Sequence, residues 1–208
     1  MTQRIKFYTF PLSGNAHRVE LLLRALDVPF NRIDVNLRDK EQKTADFLAM
    51  NPFGQVPVIN DNGTIIWDFV AIMTYLALTY DTTHTYLPQA PAQHAEVITW
   101  LAKTSGPIAY GPAAARRINI FKTPQDISVA QQVAHDFLNV VESHLARRDW
   151  LVGDSLTLAD LACYTYIAHA PEGGIDLAGY PNILVWLERM EALPFFVAMP
   201  KSKAGLWA

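Results

Sequence analysis

Around Tyr80 the hydrophobic pattern of this chain changes character, and that change limits the folds open to it. Before Tyr80, β-patterned and helical segments alternate; after it, only helical spacing recurs. Arg4 to Thr9 alternates apolar and polar residues and carries Ile5, Phe7 and Tyr8, which predicts a strand. Pro11 and Gly14 break it. From Ala16 the apolar positions turn helical, with Val19, Leu22, Leu23 and Leu26 on one stripe. Phe30 to Leu37 alternates imperfectly and predicts a second strand, and Thr44 to Met50 a short helix. Gln55 to Asn60 and Thr64 to Trp67 predict two strands joined through Asp61-Asn62-Gly63, whose Asn-Gly pair favours an antiparallel hairpin. A helix with Ile72, Met73, Leu76 and Tyr80 inward completes the order βαβ, then αββα.

From Asp81 the chain is rich in Thr, Pro and Gln and reads as a linker. Ala95, Ile98, Leu101 and Ala102 then share a helix face until Gly106-Pro107, where proline removes a backbone donor and breaks the helix. Ala130, Val133, Phe137, Val140, Val141 and His144 predict the next buried stripe. Thr157-Leu158-Ala159-Asp160 reads as a capping box with Asp in place of the usual Glu or Gln. Ile183, Trp186, Leu187 and Met190 mark a final helix, closed by Leu193-Pro194. The expectation is an α/β domain over 1–80, a linker over 81–90 and an all-α domain over 91–208.

With 208 residues, half of them hydrophobic, the chain can fill two modest cores. A net charge of −3 carries no basic excess, which argues against nucleic acid as a partner. The single cysteine rules out an intramolecular disulfide framework and fits a reducing compartment. The opening residues place no apolar run behind their charges, so they do not read as a signal peptide. No stretch of ~18 apolar residues predicts a membrane span. Together these features predict a cytoplasmic protein. The histidines His17, His84, His94, His135, His144 and His169 share no ligand spacing, so no metal is expected.

Three segments carry a more specific signal. Asn51-Pro52-Phe53-Gly54-Gln55-Val56-Pro57-Val58-Ile59 resembles the glutathione-binding loop of the glutathione S-transferase family. Ser13-Gly14-Asn15-Ala16-His17-Arg18-Val19 resembles that family's first strand-to-helix turn, and Trp150 to Asp160 its helix-start motif in the second domain. The order and approximate spacing are kept across essentially the whole chain. The resemblance implies a thioredoxin-like first domain that binds glutathione, a helical-bundle second domain, an electrophilic co-substrate and a homodimer. It implies a role such as detoxification.

Residue by residue, the resemblance implies a cis Pro57 whose preceding peptide, at Val56, presents its backbone to the cysteinyl part of glutathione; a plain strand-start proline is the alternative. Ser13 lies just before the first helix, where outward amides and the helix dipole favour an anion. A hydroxyl donating there to the sulfur would contribute about 1.5–3 kcal/mol, or roughly one to two pKa units, toward thiolate. The competing role for Ser13 is helix cap. Asn15 is the second candidate donor. Thr9 occupies the place of the tyrosine used by tyrosine-type members, and strand alternation points Tyr8 to the other face. No cysteine stands in the turn, and Cys163 reads as a buried small hydrophobe.

Gln42 and Lys43 fall where the family meets the glycine carboxylate of glutathione, although a solvated lysine explains Lys43 equally well. Gln55 matches the residue that bonds the peptide backbone. The departure is at Asp68-Phe69, where the family carries Glu-Ser or Asp-Ser for the γ-glutamyl group. Losing one charge-assisted bond costs about 1.5–3 kcal/mol, roughly ten- to a hundredfold in affinity. Phe69 also adds bulk, and Asp68 suits a helix cap, so weakened glutathione binding is expected. Tyr110, Arg116 and Arg117 are the candidates for an electrophile pocket, with a solvated helix face as the alternative for the arginines. Two functions follow: a transferase whose glutathione thiolate attacks a small apolar electrophile, or a non-catalytic relative serving protein interaction or regulation. Glutathione-dependent isomerisation is disfavoured because a Ser-Ser-Cys turn is missing. The fold alone does not choose.

Overall fold

The computed structural model describes residues 4–202, in one unit ending at His84 and a second beginning at Thr85. In the first, β1 (Ile5–Thr9) leads through α1 (Gly14–Ala25) to β2 (Phe30–Asp34), which pairs with β1 in parallel. A parallel pair needs a crossover, and α1 supplies it. A 3-10 turn (Glu41–Lys43) and α2 (Ala45–Met50) follow, then the hairpin β3 (Val58–Asp61) and β4 (Thr64–Trp67), and α3 (Phe69–Tyr80). The sheet order is β2-β1-β3-β4, with β3 antiparallel to both neighbours. Asn62 and Gly63 both take positive φ, 51° and 95°, as a two-residue hairpin turn requires.

Register assigns the two faces. Phe7 pairs with Ile59, both fully buried, on the face where α1 and α3 pack together. Tyr8 pairs with Val58 on the other face, over Phe47 of α2, with the Tyr8 and Phe47 rings edge-on at 6.3 Å. Two strands are shorter than their patterns. β3 starts at Val58 rather than Gln55, because Pro57 has no N–H to give the ladder. β2 ends at Asp34 rather than Leu37, since the Asn36 amide turns to the Glu41 carboxylate at 2.7 Å.

The second unit is helical: α4 (Pro91–Ser105), α5 (Pro107–Tyr110), α6 (Pro112–Phe121), α7 (Ile127–Leu145), α8 (Leu158–Ala168), a 3-10 turn (Ala170–Gly173) and α9 (Pro181–Glu191). The α/β plus all-α class expected from the sequence is the one observed. α8 is buried at every residue from Leu158 to Thr165, Cys163 included, and so forms the axis of the unit. Two expected stripes are rotated. α4 buries Val97, Trp100, Leu101 and Thr104 and leaves Ile98 exposed. α7 buries Ala130, Ala134, Phe137, Leu138, Val141 and Leu145, while Val140 faces out. Both helices carry apolar residues on overlapping stripes, and the packing of neighbouring helices decides which one is buried.

Asp160 anchors this unit. Its carboxylate accepts the Leu151 N–H at 2.8 Å, the Thr157 N–H at 3.0 Å, the Thr157 hydroxyl at 3.2 Å and the Trp186 indole N–H at 3.1 Å. The capping box is therefore present with Asp. Burial pushes the Asp160 carboxyl up to about 6, against these four donors, which pull it down. Glu172 makes a second knot. It takes Arg116 Nε at 2.5 Å, His169 Nδ1 at 2.9 Å and the Ser202 N–H at 3.0 Å, so α6, the end of α8 and the 3-10 turn are tied to the end of the described chain.

Asp160→Asn should lose about 3 kcal/mol or more, because an amide cannot accept from all four donors and buried orphans cost ~1–3 kcal/mol each; denaturant unfolding followed by circular dichroism measures it. Glu172 gives a pH signature. Burial raises its carboxyl, but His169, the Ser202 amide and Arg116 outweigh that and hold it at about 2, below its ordinary 4.5. The unfolded chain then binds the extra proton between these values, so this stabilisation is complete above pH 4.5 and is lost as pH falls toward 2. Glu172→Gln should be less stable at neutral pH and lose less stability across that window.

Candidate functional site

The start of α1, the loop before β3 and the β4–α3 junction enclose a cleft of about 230 Å³ in the first unit. α1 begins at Ser13, whose extended backbone leaves the helix while its Oγ accepts the Ala16 N–H at 3.2 Å. Ser13 is thus a helix cap, and its hydroxyl keeps its own proton to donate. It is half-buried and is not among the residues that line the cleft. Asn15, in the first turn, is on the cleft wall. Its Oδ1 accepts from Arg18 Nη1 at 2.8 Å, which leaves the amide NH2 as the remaining polar end.

The loop is held from within. Asn51, 2% exposed, donates through Nδ2 to the Gln55 carbonyl at 2.8 Å and accepts the Phe53 N–H at 3.0 Å. Gly54 is left-handed, at φ 59°, and a Cβ there would sit 2.6 Å from the Gln42 carbonyl oxygen. Only glycine lets the loop approach the 3-10 turn that closely. The Val56–Pro57 peptide is cis, and Gln55, Val56 and Pro57 all line the cleft. Phe53 and Trp67 flank it with rings 5.3 Å apart, both substantially exposed.

At the β4–α3 junction, Asp68 adopts φ 71° and caps α3: its Oδ1 accepts the Val70 N–H at 2.8 Å and the Ala71 N–H at 3.4 Å. Asp68 is the carboxyl-bearing residue among those lining the cleft. Phe69 lies beside it, only 5% exposed, with the Arg18 guanidinium carbon 4.6 Å from its ring centroid. Its bulk therefore goes chiefly inward, under a buried cation.

The structure brings Asn15, Gln55, Val56, Pro57, Asp68 and Phe69 to the lining of one cleft, with Gln42 and Lys43 against the outer side of its loop. Lys43 gives its ammonium to the Phe53 carbonyl at 2.9 Å, and Gln42 Oε1 is buried without a hydrogen-bond partner. In the second unit Tyr110 is 71% exposed and Arg117 bonds Gln125 at 3.0 Å. Arg116 contradicts both readings given to it. At 3% exposure, paired with Glu172, it is neither on a solvated face nor open to an electrophile. Its i, i+1 neighbour Arg117 is exposed, so composition could not separate the two. Sequence reasoning also missed Asn51, Trp67 and Arg18. Asn51 and Arg18 lie inside the motifs and Trp67 ends a predicted strand, but only three-dimensional proximity shows what they touch.

Among the described residues no group of three or more His, Cys, Asp or Glu could hold a metal ion, and no helix is long and apolar enough to cross a membrane.

Known proteins share this architecture. The family model for the N-terminal domain of glutathione S-transferase matches residues 3–78, and that for its C-terminal domain matches residues 108–194. Glutathione S-transferase 3 of Zea mays is 33% identical over 205 residues, covering 92% of this chain and 91% of its own. The crystal structure of a glutathione S-transferase from Pseudomonas fluorescens superposes with a TM-score of 0.88 at 30% identity, covering 95% of this chain and 99% of its own. A glutathione transferase homologue from Drosophila mojavensis, solved with bound glutathione, superposes at 0.83 with 27% identity over 92% of this chain and 89% of its own. The first unit is thioredoxin-like, the second is the helical domain that accompanies it, and the chain belongs to the glutathione S-transferase family.

Proposed function

We propose that the chain is a glutathione transferase that joins the glutathione thiolate to a small apolar electrophile. The observation that carries this reading is the cleft itself: a cis Val56–Pro57 peptide opposite an amide donor at a helix N-terminus, with a carboxylate at the start of a second helix. The free backbone at Val56 suits antiparallel pairing with the cysteinyl residue of a tripeptide. Gln55 suits the same backbone, and the start of α3 offers amides and the Asp68 carboxylate to the charged γ-glutamyl end.

The sulfur then falls to the start of α1. Asn15 offers its NH2 from the cleft wall, and Ser13 offers its hydroxyl proton from the cap of the same helix. A donor held toward the sulfur favours thiolate over thiol by about 1.5–3 kcal/mol, and the α1 dipole adds to it. The thiolate attacks the electrophilic carbon, a C–S bond forms, and the leaving group departs with the bonding electrons. Tyr110 and Arg117 are proposed for the electrophile. Lys43 and Gln42 are proposed for the glycine carboxylate; Lys43 gives one N–H to the Phe53 carbonyl and keeps two further donors. A cytoplasmic homodimer is the proposed setting, on the strength of the family and of the single cysteine.

One observation favours a second, non-catalytic reading. Asp68 spends one carboxylate oxygen on α3 amides, and Phe69 stands where the family's serine would be. Calorimetric titration with reduced glutathione separates the two readings. The transferase reading expects the native protein to bind in the micromolar to low-millimolar range, and Phe69→Ser to bind roughly tenfold tighter. Phe69→Ser should also lose about 3 kcal/mol of stability, since it empties a buried aromatic site. Binding by the variant alone would establish the non-catalytic reading. Two further substitutions divide the work at α1. Asn15→Ala should raise the pKa of the bound thiol by about one unit. Ser13→Ala should cost about 1 kcal/mol of stability through the lost cap. Thiolate absorbance against pH, and chemical unfolding, read the two effects.

A further inference from the structure

We propose that Arg18 is a positioning residue, which turns the Asn15 amide so that its NH2 faces the cleft, and that Phe69 is the seat that fixes Arg18. The proposal rests on the reading of this cleft as the glutathione site and assigns it a supporting layer.

An asparagine amide has two ends of nearly equal size, one accepting and one donating. A rotation of half a turn about its last bond exchanges them, so a bare Asn15 at the mouth of α1 would present either end to the cleft. Arg18 removes that freedom. Asn15 and Arg18 are three residues apart on α1, a spacing that makes side chains neighbours, and Nη1 meets Oδ1 at 2.8 Å. In the rotated state the NH2 would meet a guanidinium, which has donors and no acceptor. Donor against donor disfavours that state, so the carbonyl end is held inward and the NH2 is left for the cleft.

Arg18 can impose this only if it is itself immobile. Its side chain is 1% exposed, and its guanidinium lies 4.6 Å from the centroid of the Phe69 ring. A flat cation over an aromatic face is held in orientation as well as in place. A serine at position 69 would have no face to offer. The aromatic residue at the start of α3 thus supports the helix across from it: Phe69 seats Arg18, and Arg18 orients Asn15. Asp68 is held by α3 amides, and Glu20 is paired with Arg24 and Arg32. His17, next to Arg18 on α1, is buried.

The test uses the full chain and reduced glutathione. The pKa of the bound thiol is read by thiolate absorbance and the affinity by calorimetry, for the native protein, Arg18→Met, Arg18→Lys, Asn15→Ala and the double variant Arg18→Met/Asn15→Ala. Expected is a rise of about one unit in the bound-thiol pKa for Arg18→Met, with affinity changed less than about threefold. Arg18→Lys, which keeps a donor, should recover part of the rise. In the Asn15→Ala background Arg18→Met should add nothing, since the group it orients is gone. A folded Arg18→Met with an unmoved pKa overturns the proposal, and so does a shift that adds in full to that of Asn15→Ala. If Arg18→Met does not fold, Phe69→Leu replaces it: removing the ring should raise the pKa in the Asn15 background and not in the Asn15→Ala background, and equal shifts in both overturn the proposal. A native protein that lowers no thiol pKa overturns the transferase reading and this inference together. A native protein that lowers it through Asn15 but not through Arg18 overturns the inference alone.

Discussion

The first turn of every helix presents backbone amides with no helical partner, and much of this molecule is arranged around meeting that demand. α1, α2, α3, α7 and α8 begin with Ser13, Thr44, Asp68, Asp126 and Thr157, each accepting an amide of the first turn. α4, α5, α6 and α9 begin instead with Pro91, Pro107, Pro112 and Pro181, which remove one unmet amide and preset the backbone. Each described helix therefore starts where a local residue dictates. The strands, the loop before β3 and the cleft are spaced between those fixed points.

The same demand makes the cleft. Two capped helix starts, α1 and α3, converge on it, and their caps are residues that the functional reading also needs. Ser13 is committed as an acceptor and free as a donor, so its two roles are compatible. Asp68 is an acceptor in both roles, so they compete, and one of its oxygens is already engaged. Asn15 carries no capping duty. Both Ser13 and Asn15 therefore remain able to donate in the proposed reaction, and Arg18 is the residue bonded to the Asn15 carbonyl oxygen. In the second unit the same logic reaches further: Asp160 caps α8 while also gripping the Leu151 amide and the Trp186 indole, so one carboxylate closes a helix end and joins α9 to it.

What could be read in advance was local. The Asn62-Gly63 turn, the capping box at Thr157, the break at Gly106-Pro107 and the final stripe of Ile183, Trp186, Leu187 and Met190 each depend on a few adjacent residues, and each is present. The rotated stripes of α4 and α7 show the limit. Val140 and Leu138 are equally apolar and nearly adjacent, and only the neighbouring helices decide which one enters the core. Arg116 and Arg117 differ for the same reason. One meets Glu172, fifty-six residues away along the chain, and the other bonds Gln125 on an exposed face.

The site divides along this line too. Motif residues at helix starts and turns, such as Ser13, Asn15, Val56-Pro57 and Asp68, were legible because their chemistry is set by backbone conformation within a turn or two. The orientation of the Phe69 ring, its contact with Arg18 and the grip of Arg18 on Asn15 were not, although Asn15 and Arg18 lie in one motif and Phe69 stands at the departure from the family pattern. Sequence determined this protein's elements, their order and the groups offered at the ends of its helices, because those follow from short-range hydrogen bonding and period. Tertiary structure alone decided which groups meet, which charges are buried and which way an amide points, because those depend on contacts between α1 and α3, or α6 and the turn after α8, that no local pattern encodes.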